Sequence, residues 1–410
     1  MKTARAALLG LVLSCLPLLA QAAFLSDTVK IGVMNDESGP YADLQGPGSV
    51  ISTKMAVEDF GGNVDGHPIE VVVGDHQNKP DIGMGIARQW YDVEKIGAIV
   101  DLPQSAVALG VARVAHDKNR VALISASNLD SLTGKDCSPN QVQWGFNNYS
   151  LAKSAAQTAG QPDTKTWFLI VVDLATGHDL QSVLTSMVEA HGGKVIGAVR
   201  HPLAAADFSQ YLLAAQASHA QVIALINATS DFVGAMKQAA EFHIGPSTGQ
   251  KLIGITVFEP DIRSLGLNAA QGTLLTMPFY WNLNDDTRAF SERFAKRFGG
   301  KMPTVFQAAA YSATLHYLKA VAAAGGDADG AAVVREMKKL PVEDPIFGKT
   351  ELRVDGLEVH PMYRFEVKSP AESKGPWDLY KLIATIPAAD AFRSVADGGC
   401  PYLKEMSEVK

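Results

Sequence analysis

Cysteine is scarce in this 410-residue chain, which contains only Cys15, Cys137 and Cys400. Cys15 lies in the apolar N-terminal segment, so removal of that segment as a leader would leave Cys137 and Cys400 as an isolated pair. In an oxidising compartment such a pair usually forms a disulfide. We therefore expect a bridge that ties the C-terminal tail back to the N-terminal part of the chain, which is assigned below to the first of two lobes. Two buried free thiols are the alternative.

Long apolar runs are missing after the N-terminus, where no segment approaches the ~18 uninterrupted apolar residues of a membrane span. The opening MKTARAALLGLVLSCLPLLAQAAF has two basic residues, an apolar run and small residues at Ala20 and Ala22. This layout predicts a secretory signal peptide over residues 1–22, with cleavage near Ala22 and an exported, soluble mature chain. A lipoprotein modified at Cys15 is the alternative, but the apolar run continues past that cysteine.

A surplus of basic residues is also lacking, since 36 Lys and Arg face 43 Asp and Glu, for a net charge of −7. Without a basic stripe to follow phosphates, nucleic acid is not an expected partner. The ten histidines form no H-E-x-x-H motif and no close pair with metal-ligand spacing, so no metal site is expected. An exported amidase or esterase stays open as a second class of function, although no G-x-S-x-G elbow is present.

Short apolar runs that alternate with amphipathic ones dominate the rest of the chain. The strand-like runs are VKIGVMN, IEVVVGDHQ, AIVDL, VALISAS, TWFLIVVD, KVIGAVRHP, QVIALINA and KLIGIT. Helix-like stretches such as VALGVARVAHDKN and FVGAMKQAAEFH separate them. This alternation predicts βαβ units with parallel sheets. The length exceeds what one core usually supports, so we expect two doubly wound α/β lobes, with a single (β/α)₈ barrel as the competing architecture.

The loops that follow several predicted strands are unusually polar. DESGPYADLQGPG follows IGVMN, PQSAVALGVA follows AIVDL, and ASNLDSLTG follows VALIS. In open parallel sheets, ligands bind outside the carboxyl ends of the strands. Ser105 occupies the expected N-cap of the helix after AIVDL, where free N–H groups and the helix dipole favour an anionic oxygen. The sequence thus predicts a carboxylate ligand near Ser105, unless this serine only caps its own helix.

Several motifs in a fixed order resemble one protein family. They are SGPYADLQGPG with MAVEDFGG, SAVALGVA, LTGKDCSPN, and FYWNLNDDTRAFSERFAKRFGGKMPTVFQAAAYSATLHYLKAV. Together they resemble the periplasmic substrate-binding proteins of ABC importers, in the branched-chain amino-acid (type I) class, from about Thr28 to Ile386. The resemblance implies two Rossmann-like lobes joined by three crossings. Lobe one would comprise 28–147 and 276–346, lobe two 148–275 and 347–386, and the C-terminal tail 387–410.

The resemblance also implies a function. Members of this family close on one small molecule and deliver it to a membrane permease that a cytoplasmic ATPase powers. A periplasmic monomer without a cofactor is therefore expected. A ligand sensor that presents its closed form to a receptor is an alternative, because transport and sensing use the same cleft.

The resemblance implies a carboxylate grip on lobe one. In leucine-binding relatives a serine after the strand that is AIVDL here holds the ligand carboxylate, which corresponds to Ser105 with Gln104 beside it. The loop after the next strand would complete the grip through Ser127, Asn128 and Leu129. Leu129 stands where relatives have a threonine, so one hydroxyl contact is lost.

On lobe two the sequence departs from the family pattern. Thr176 occupies the stretch where relatives offer an aromatic ring, and Tyr41 from the first loop of lobe one is a candidate replacement. Asn227 and Glu259 occupy the remaining strand-end loops of lobe two. Glu259 would pair with the ammonium of an amino acid, because an ammonium in a poorly hydrated cleft needs a carboxylate.

The sequence leaves three ligand classes open. SGPYADLQGPGS and FYWNLNDDTRAF resemble most the subgroup that transports aromatic and other small organic acids, which need no ammonium partner. We expect a small carboxylate such as an aromatic acid. An amino acid is the second possibility, and an amide or urea-like compound the third.

Overall fold

The computed structural model describes residues 23–157, 159–245 and 249–407. The predicted signal peptide, 1–22, and with it Cys15, lies outside the described residues. Within the described ranges, no helix has the length and apolar character needed to cross a membrane.

The secondary structure alternates between strands and helices along most of the chain. The strands are β1 (Val29–Asn35), β2 (Asn63–Val64), β3 (His67–Asp75), β4 (Ala98–Asp101), β5 (Val121–Ile124), β6 (Gln141–Gln143), β7 (Thr166–Val172), β8 (Lys194–His201), β9 (Val222–Ile226), β10 (Lys251–Gly254), β11 (Leu274–Met277), β12 (Val342–Asp344), β13 (Gly348–Leu352), β14 (Glu358–Val359), β15 (Met362–Val367) and β16 (Tyr380–Ile386). The α-helices are α1 (Gly46–Phe60), α2 (Pro80–Gln89), α3 (Ser105–Asp117), α4 (Asn148–Ala156), α5 (Ala175–Ala190), α6 (Ser209–Ala217), α7 (Thr229–Glu241), α8 (Glu259–Leu265), α9 (Leu267–Ala270), α10 (Asp285–Arg297), α11 (Val305–Ala324), α12 (Gly330–Lys339), α13 (Ala388–Ala391) and α14 (Leu403–Ser407).

Two large sheets organise these elements into two lobes. The sheet of lobe one has the order β2-β3-β1-β4-β5-β6, and its strands are parallel except for the short β2. The sheet of lobe two has the order β16-β15-β11-β10-β9-β7-β8, in which β15 and β16 pair antiparallel and the others pair parallel. The predicted class of two doubly wound α/β lobes is confirmed, and the alternative of a single barrel is wrong.

Burial explains why the central strands read as continuous apolar runs. In β4, β5 and β9 every residue is buried, because helices cover both faces of a parallel sheet. Helix α11 is buried along most of its length and packs against α1. The run from Phe306 to Tyr317 within this helix belongs to the core.

The chain passes between the lobes three times: after β6, after β11, and between α12 and β15. The first and third passages are bonded to each other. The Gly145 N–H donates to Glu358 Oε2 at 3.4 Å, and His360 Nε2 bonds to the Gly145 carbonyl. The lobe boundaries at 147, 275 and 346 stay a prediction.

The C-terminal tail returns from lobe two to lobe one. After β16, Arg393 donates to the Asp130 carbonyl at 2.6 Å and to Thr133 Oγ1 at 3.1 Å. Cys137 and Cys400 then lie at disulfide distance, with Cα atoms 5.6 Å apart. This arrangement agrees with the bridge that the cysteine count predicts.

Candidate ligand-binding cleft

A cavity of about 350 Å³ lies between the two lobes at the carboxyl ends of their central strands. Six of the nine predicted ligand contacts line it: Tyr41, Gln104, Ser105, Asn128, Thr176 and Asn227. Ser127, Leu129 and Glu259 do not. The strand-end loops of both lobes therefore converge on one space, which is the arrangement that doubly wound sheets favour for a ligand.

The loop before α3 is bent by two residues with positive φ. Asp101 has φ 90° and Leu102 has φ 63°, a conformation that non-glycine residues rarely adopt. Asn35 Nδ2 donates to Asp101 Oδ2 at 3.2 Å and helps to hold the bend. Burial raises the pKa of Asp101 to about 7. The bend ends β4 abruptly and turns Gln104 and Ser105 towards the cavity.

Gln104, and not Ser105, caps helix α3. Gln104 has an extended backbone and its Oε1 accepts the Val107 N–H at 2.7 Å, so the predicted N-cap role of Ser105 is wrong. Ser105 is instead the first residue of the helix, which therefore begins one position earlier than a cap at Ser105 would allow. Its hydroxyl is thereby released from capping.

The lobe-one wall of the cavity offers donors to an anion. The N–H groups of Ser105 and Ala106 lie ahead of Ala108, whose N–H makes the first intrahelical bond, and the described residues supply no partner for them. Ser127 Oγ donates to the Ser105 hydroxyl at 3.4 Å from the side away from the cavity. Backbone N–H groups, hydroxyls and the positive end of the α3 dipole thus converge, as an anionic oxygen requires.

The loop after β5 shows why alternate predicted residues miss the cavity. Gln143 Nε2 donates to the Ser127 carbonyl at 2.9 Å and to the Leu129 carbonyl at 3.0 Å. These bonds hold Ser127 and Leu129 against β6, while Asn128 between them faces the cavity. Ser127 is therefore a support for Ser105, and the missing threonine at Leu129 removes no group from the cavity lining.

Glu259 lies in the interior of lobe two and not on the cavity, contrary to the prediction. Its side chain is 1% exposed, and neither carboxyl oxygen has a hydrogen-bond partner within the described residues. Burial raises its pKa to about 8, so the group favours the neutral acid. Burial raises the pKa values of the neighbouring Tyr280 and Tyr380, and an ionised Glu259 would raise them further. A carboxyl in this position cannot pair with a ligand ammonium.

Asp231 is the acidic residue that lines the cavity, and the sequence reasoning missed it. It lies in the first turn of α7, four residues after Asn227. An acid in the first turn after a strand-end loop was the available signal. The first turn of a helix is also where acids commonly stabilise the dipole, so this signal alone is weak.

Aromatic rings close the cavity where the lobes meet. The rings of Phe258 from lobe two and Phe306 from lobe one lie 4.8 Å apart, and both line the cavity. Phe146 packs behind them, 5.4 Å from Phe306. This floor is apolar and joins the two lobes. No cluster of His, Cys, Asp or Glu suited to a metal ion occurs in the part of the chain that the structure describes.

A family model described as periplasmic binding protein matches residues 28–376, most of the chain. The chain belongs to the periplasmic binding protein family.

Solved structures agree with this membership. A periplasmic binding protein from Burkholderia mallei is 43% identical, with a TM-score of 0.86 and coverage of 92% of this chain and 99% of that chain. A branched chain amino acid ABC transporter periplasmic ligand-binding protein from Burkholderia xenovorans LB400 is 38% identical, with a TM-score of 0.86 and coverage of 92% and 100%. An ABC transporter solute binding protein from R. palustris, solved in complex with 4-hydroxybenzoate, is 26% identical, with a TM-score of 0.80 and coverage of 88% and 98%. This chain is thus a periplasmic binding protein and not an enzyme.

Proposed function

We propose that this periplasmic binding protein closes its two lobes on a small carboxylate, an aromatic or other organic acid. It would then deliver the acid to a membrane permease powered by a cytoplasmic ATPase. The proposed contacts are Tyr41, Gln104, Ser105, Asn128, Thr176 and Asn227, all of which line the cavity. A periplasmic location and a monomeric state are part of the proposal.

The observation that carries this proposal is the pairing of an anion site with an aromatic floor in one cavity. The unpartnered N–H groups of Ser105 and Ala106 suit a carboxylate, and Phe258 with Phe306 suits a flat apolar ring. The volume of about 350 Å³ is at the small end of the ~300–1,000 Å³ that ligand sites occupy. A ring with one carboxylate matches both the chemistry and the size.

The R. palustris relative supports the same ligand class. That protein was solved with 4-hydroxybenzoate and shares 26% identity with this chain over most of both lengths. Since the two chains share the fold, an aromatic acid is a physically reasonable occupant of the same cleft here.

An amino acid is the second candidate, and Asp231 is the observation that favours it. This carboxyl lines the cavity and could face a ligand ammonium, which the buried Glu259 cannot do. The B. xenovorans relative, named for branched-chain amino acids, points the same way. The amino-acid possibility therefore rests on a different residue from the one the sequence suggested.

The proposed mechanism is hinge closure. Each lobe contributes one wall of the cavity, so a ligand that contacts both walls stabilises the closed form relative to the open one. The peptide at Gly145, bonded to Glu358 and His360, is a natural pivot because it links two of the three passages between the lobes.

A thermal-shift screen over aromatic acids, aliphatic acids and amino acids tests the ligand class. A ligand at a hundredfold excess over Kd should stabilise the folded protein by about 2.7 kcal/mol and raise Tm, because it binds only the folded form. Small-angle scattering with the best ligand should show compaction. Benzamide serves as the control for benzoate, since it keeps the ring and lacks the charge. Stabilisation by amides or by amino acids alone would contradict the organic-acid proposal.

Uptake separates transport from sensing. Deletion of the gene should abolish uptake of the labelled ligand by intact cells, and a plasmid copy should restore it. A sensor would leave uptake intact while abolishing the transcriptional or motility response to the same ligand.

A further inference from the structure

The lobe-two wall contains a buried amide oxygen with no partner, at Asn227. His201 fixes which atom this is. His201 Nδ1 faces the Pro202 carbonyl at 2.9 Å and therefore carries the ring proton, which leaves Nε2 as an acceptor. Asn227 Nδ2 lies 3.2 Å from that Nε2 and donates to it. Asn227 is 3% exposed, and its Oδ1 has no hydrogen-bond partner among the described residues.

Asp231 supplies a second acceptor on the same wall. It is 2% exposed, and its Oδ2 accepts the Ala204 N–H at 3.1 Å. Its Oδ1 has no hydrogen-bond partner within the described residues. Burial raises the pKa of Asp231, while the N–H groups of Ala204 and Ala205 favour the ionised form. Both Asn227 and Asp231 line the cavity, which places the two side chains at its wall.

Building on the function proposed above, we infer that Asn227 and Asp231 select ligands that carry a hydrogen-bond donor at the end away from the carboxylate. The chemical class that fits is an aromatic acid with a ring hydroxyl or amino group. Asn227 Oδ1 and Asp231 Oδ1 accept from this group, while the carboxylate meets the N-terminus of α3.

Electrostatics fixes the orientation of such a ligand. An ionised Asp231 repels a carboxylate and so directs it to the donors of lobe one. A ligand without a donor leaves two buried acceptors unpaired in the closed cleft. Sites of this kind reject analogues that lack the hydrogen-bonding group more strongly than apolar pockets reject a missing methylene.

Four matched acids test the inference on the unmodified protein by calorimetry. 4-Hydroxybenzoate and 4-aminobenzoate carry a donor, 4-methoxybenzoate carries only an acceptor, and benzoate carries neither. We expect the two acids that carry a donor to bind at least tenfold more tightly than benzoate and 4-methoxybenzoate, because each gains a hydrogen bond to a charged group. Because 4-methoxybenzoate is larger than 4-hydroxybenzoate, a steric clash would also weaken its binding. Benzoate is smaller, so a clash cannot explain weaker binding of benzoate.

The variant Asp231→Asn tests the residue assignment. It keeps the side-chain shape and an oxygen for the Ala204 N–H but removes the charge. The preference for 4-hydroxybenzoate over benzoate should fall about tenfold, and urea unfolding of the ligand-free variant reports that it is folded. Glu241→Gln is the matched control, because Glu241 is an exposed acid at the other end of the same helix. It should leave all four affinities unchanged.

Each result bears on one proposal or on both. Equal affinity for benzoate and 4-hydroxybenzoate, or an equal loss of both in Asp231→Asn, overturns the donor selection and leaves the organic-acid function standing. Absence of binding by all four acids, with binding of leucine, overturns both proposals. Tighter binding of the donors that Asp231→Asn abolishes supports both.

Discussion

The two walls of the cleft differ in the hydrogen-bonding groups that they offer to a ligand. Lobe one contributes donors, the N–H groups at the start of α3 and the Ser105 hydroxyl, whereas lobe two contributes acceptors, Asn227 Oδ1 and the Asp231 carboxyl. A ligand with an anionic end and a donating end is complementary only when both walls close around it. The contrast therefore teaches how one cavity can couple orientation of the ligand to closure of the lobes.

Ser105→Ala should have the largest effect on this contrast, because it weakens the donor wall. Loss of a hydrogen bond to a charged ligand group costs about 1.5–3 kcal/mol, roughly tenfold to more than a hundredfold in Kd. Calorimetry with the ligand found in the screen measures it. Since Gln104 caps the helix, the ligand-free variant should unfold at the parent's denaturant concentration. Unchanged affinity would remove the proposed anion site from Ser105.

Gln104→Ala should act on stability more than on recognition. The variant loses the acceptor for the Val107 N–H, and loss of an N-cap side chain costs about 0.5–2 kcal/mol in the free energy of unfolding. Urea unfolding of the ligand-free protein checks this. Gln104→Glu keeps an acceptor oxygen at the cap and should lie near the parent. If the alanine variant is as stable as the parent, the cap contributes nothing measurable.

Glu259→Gln should have the smallest effect on binding, because Glu259 does not line the cavity. Its effect appears in the pH dependence of stability. The folded pKa of about 8 exceeds the ordinary value of 4.5, so the parent's contribution is complete below about pH 4.5 and is lost as the pH rises through 8. The glutamine variant should lose less stability than the parent between pH 5 and pH 9 in urea unfolding. A marked loss of ligand affinity would instead return Glu259 to the cleft.

Much of the fold follows from the sequence because buried parallel strands are continuous apolar runs. VKIGVMN coincides with β1, and AIVDL, VALISAS and QVIALINA each contain an observed strand. The polar loops after these strands do converge on the cavity. These predictions rest on the spacing of apolar residues and on the position of polar loops after strands, and both are local properties of the sequence.

The acidic residue of the cleft could not be chosen from the sequence. Glu259 and Asp231 both lie at the start of a helix that follows a lobe-two strand. Which of them faces the cavity depends on the rotation of each helix about its axis, and that is fixed by packing against the sheet. The N-cap at Gln104 could not be predicted for a similar reason. The start of the helix follows a backbone bend with positive φ at Asp101 and Leu102, which the sequence does not reveal.

The bridge between Cys137 and Cys400 has a topological consequence. It joins residues 263 positions apart, so the chain from lobe one through lobe two and back forms a single covalent ring. One proteolytic cut anywhere between these cysteines opens the ring without releasing a fragment. A nicked protein would run as one species on a non-reducing gel and as two after reduction, and neither half of the cleft would be lost to a first cleavage.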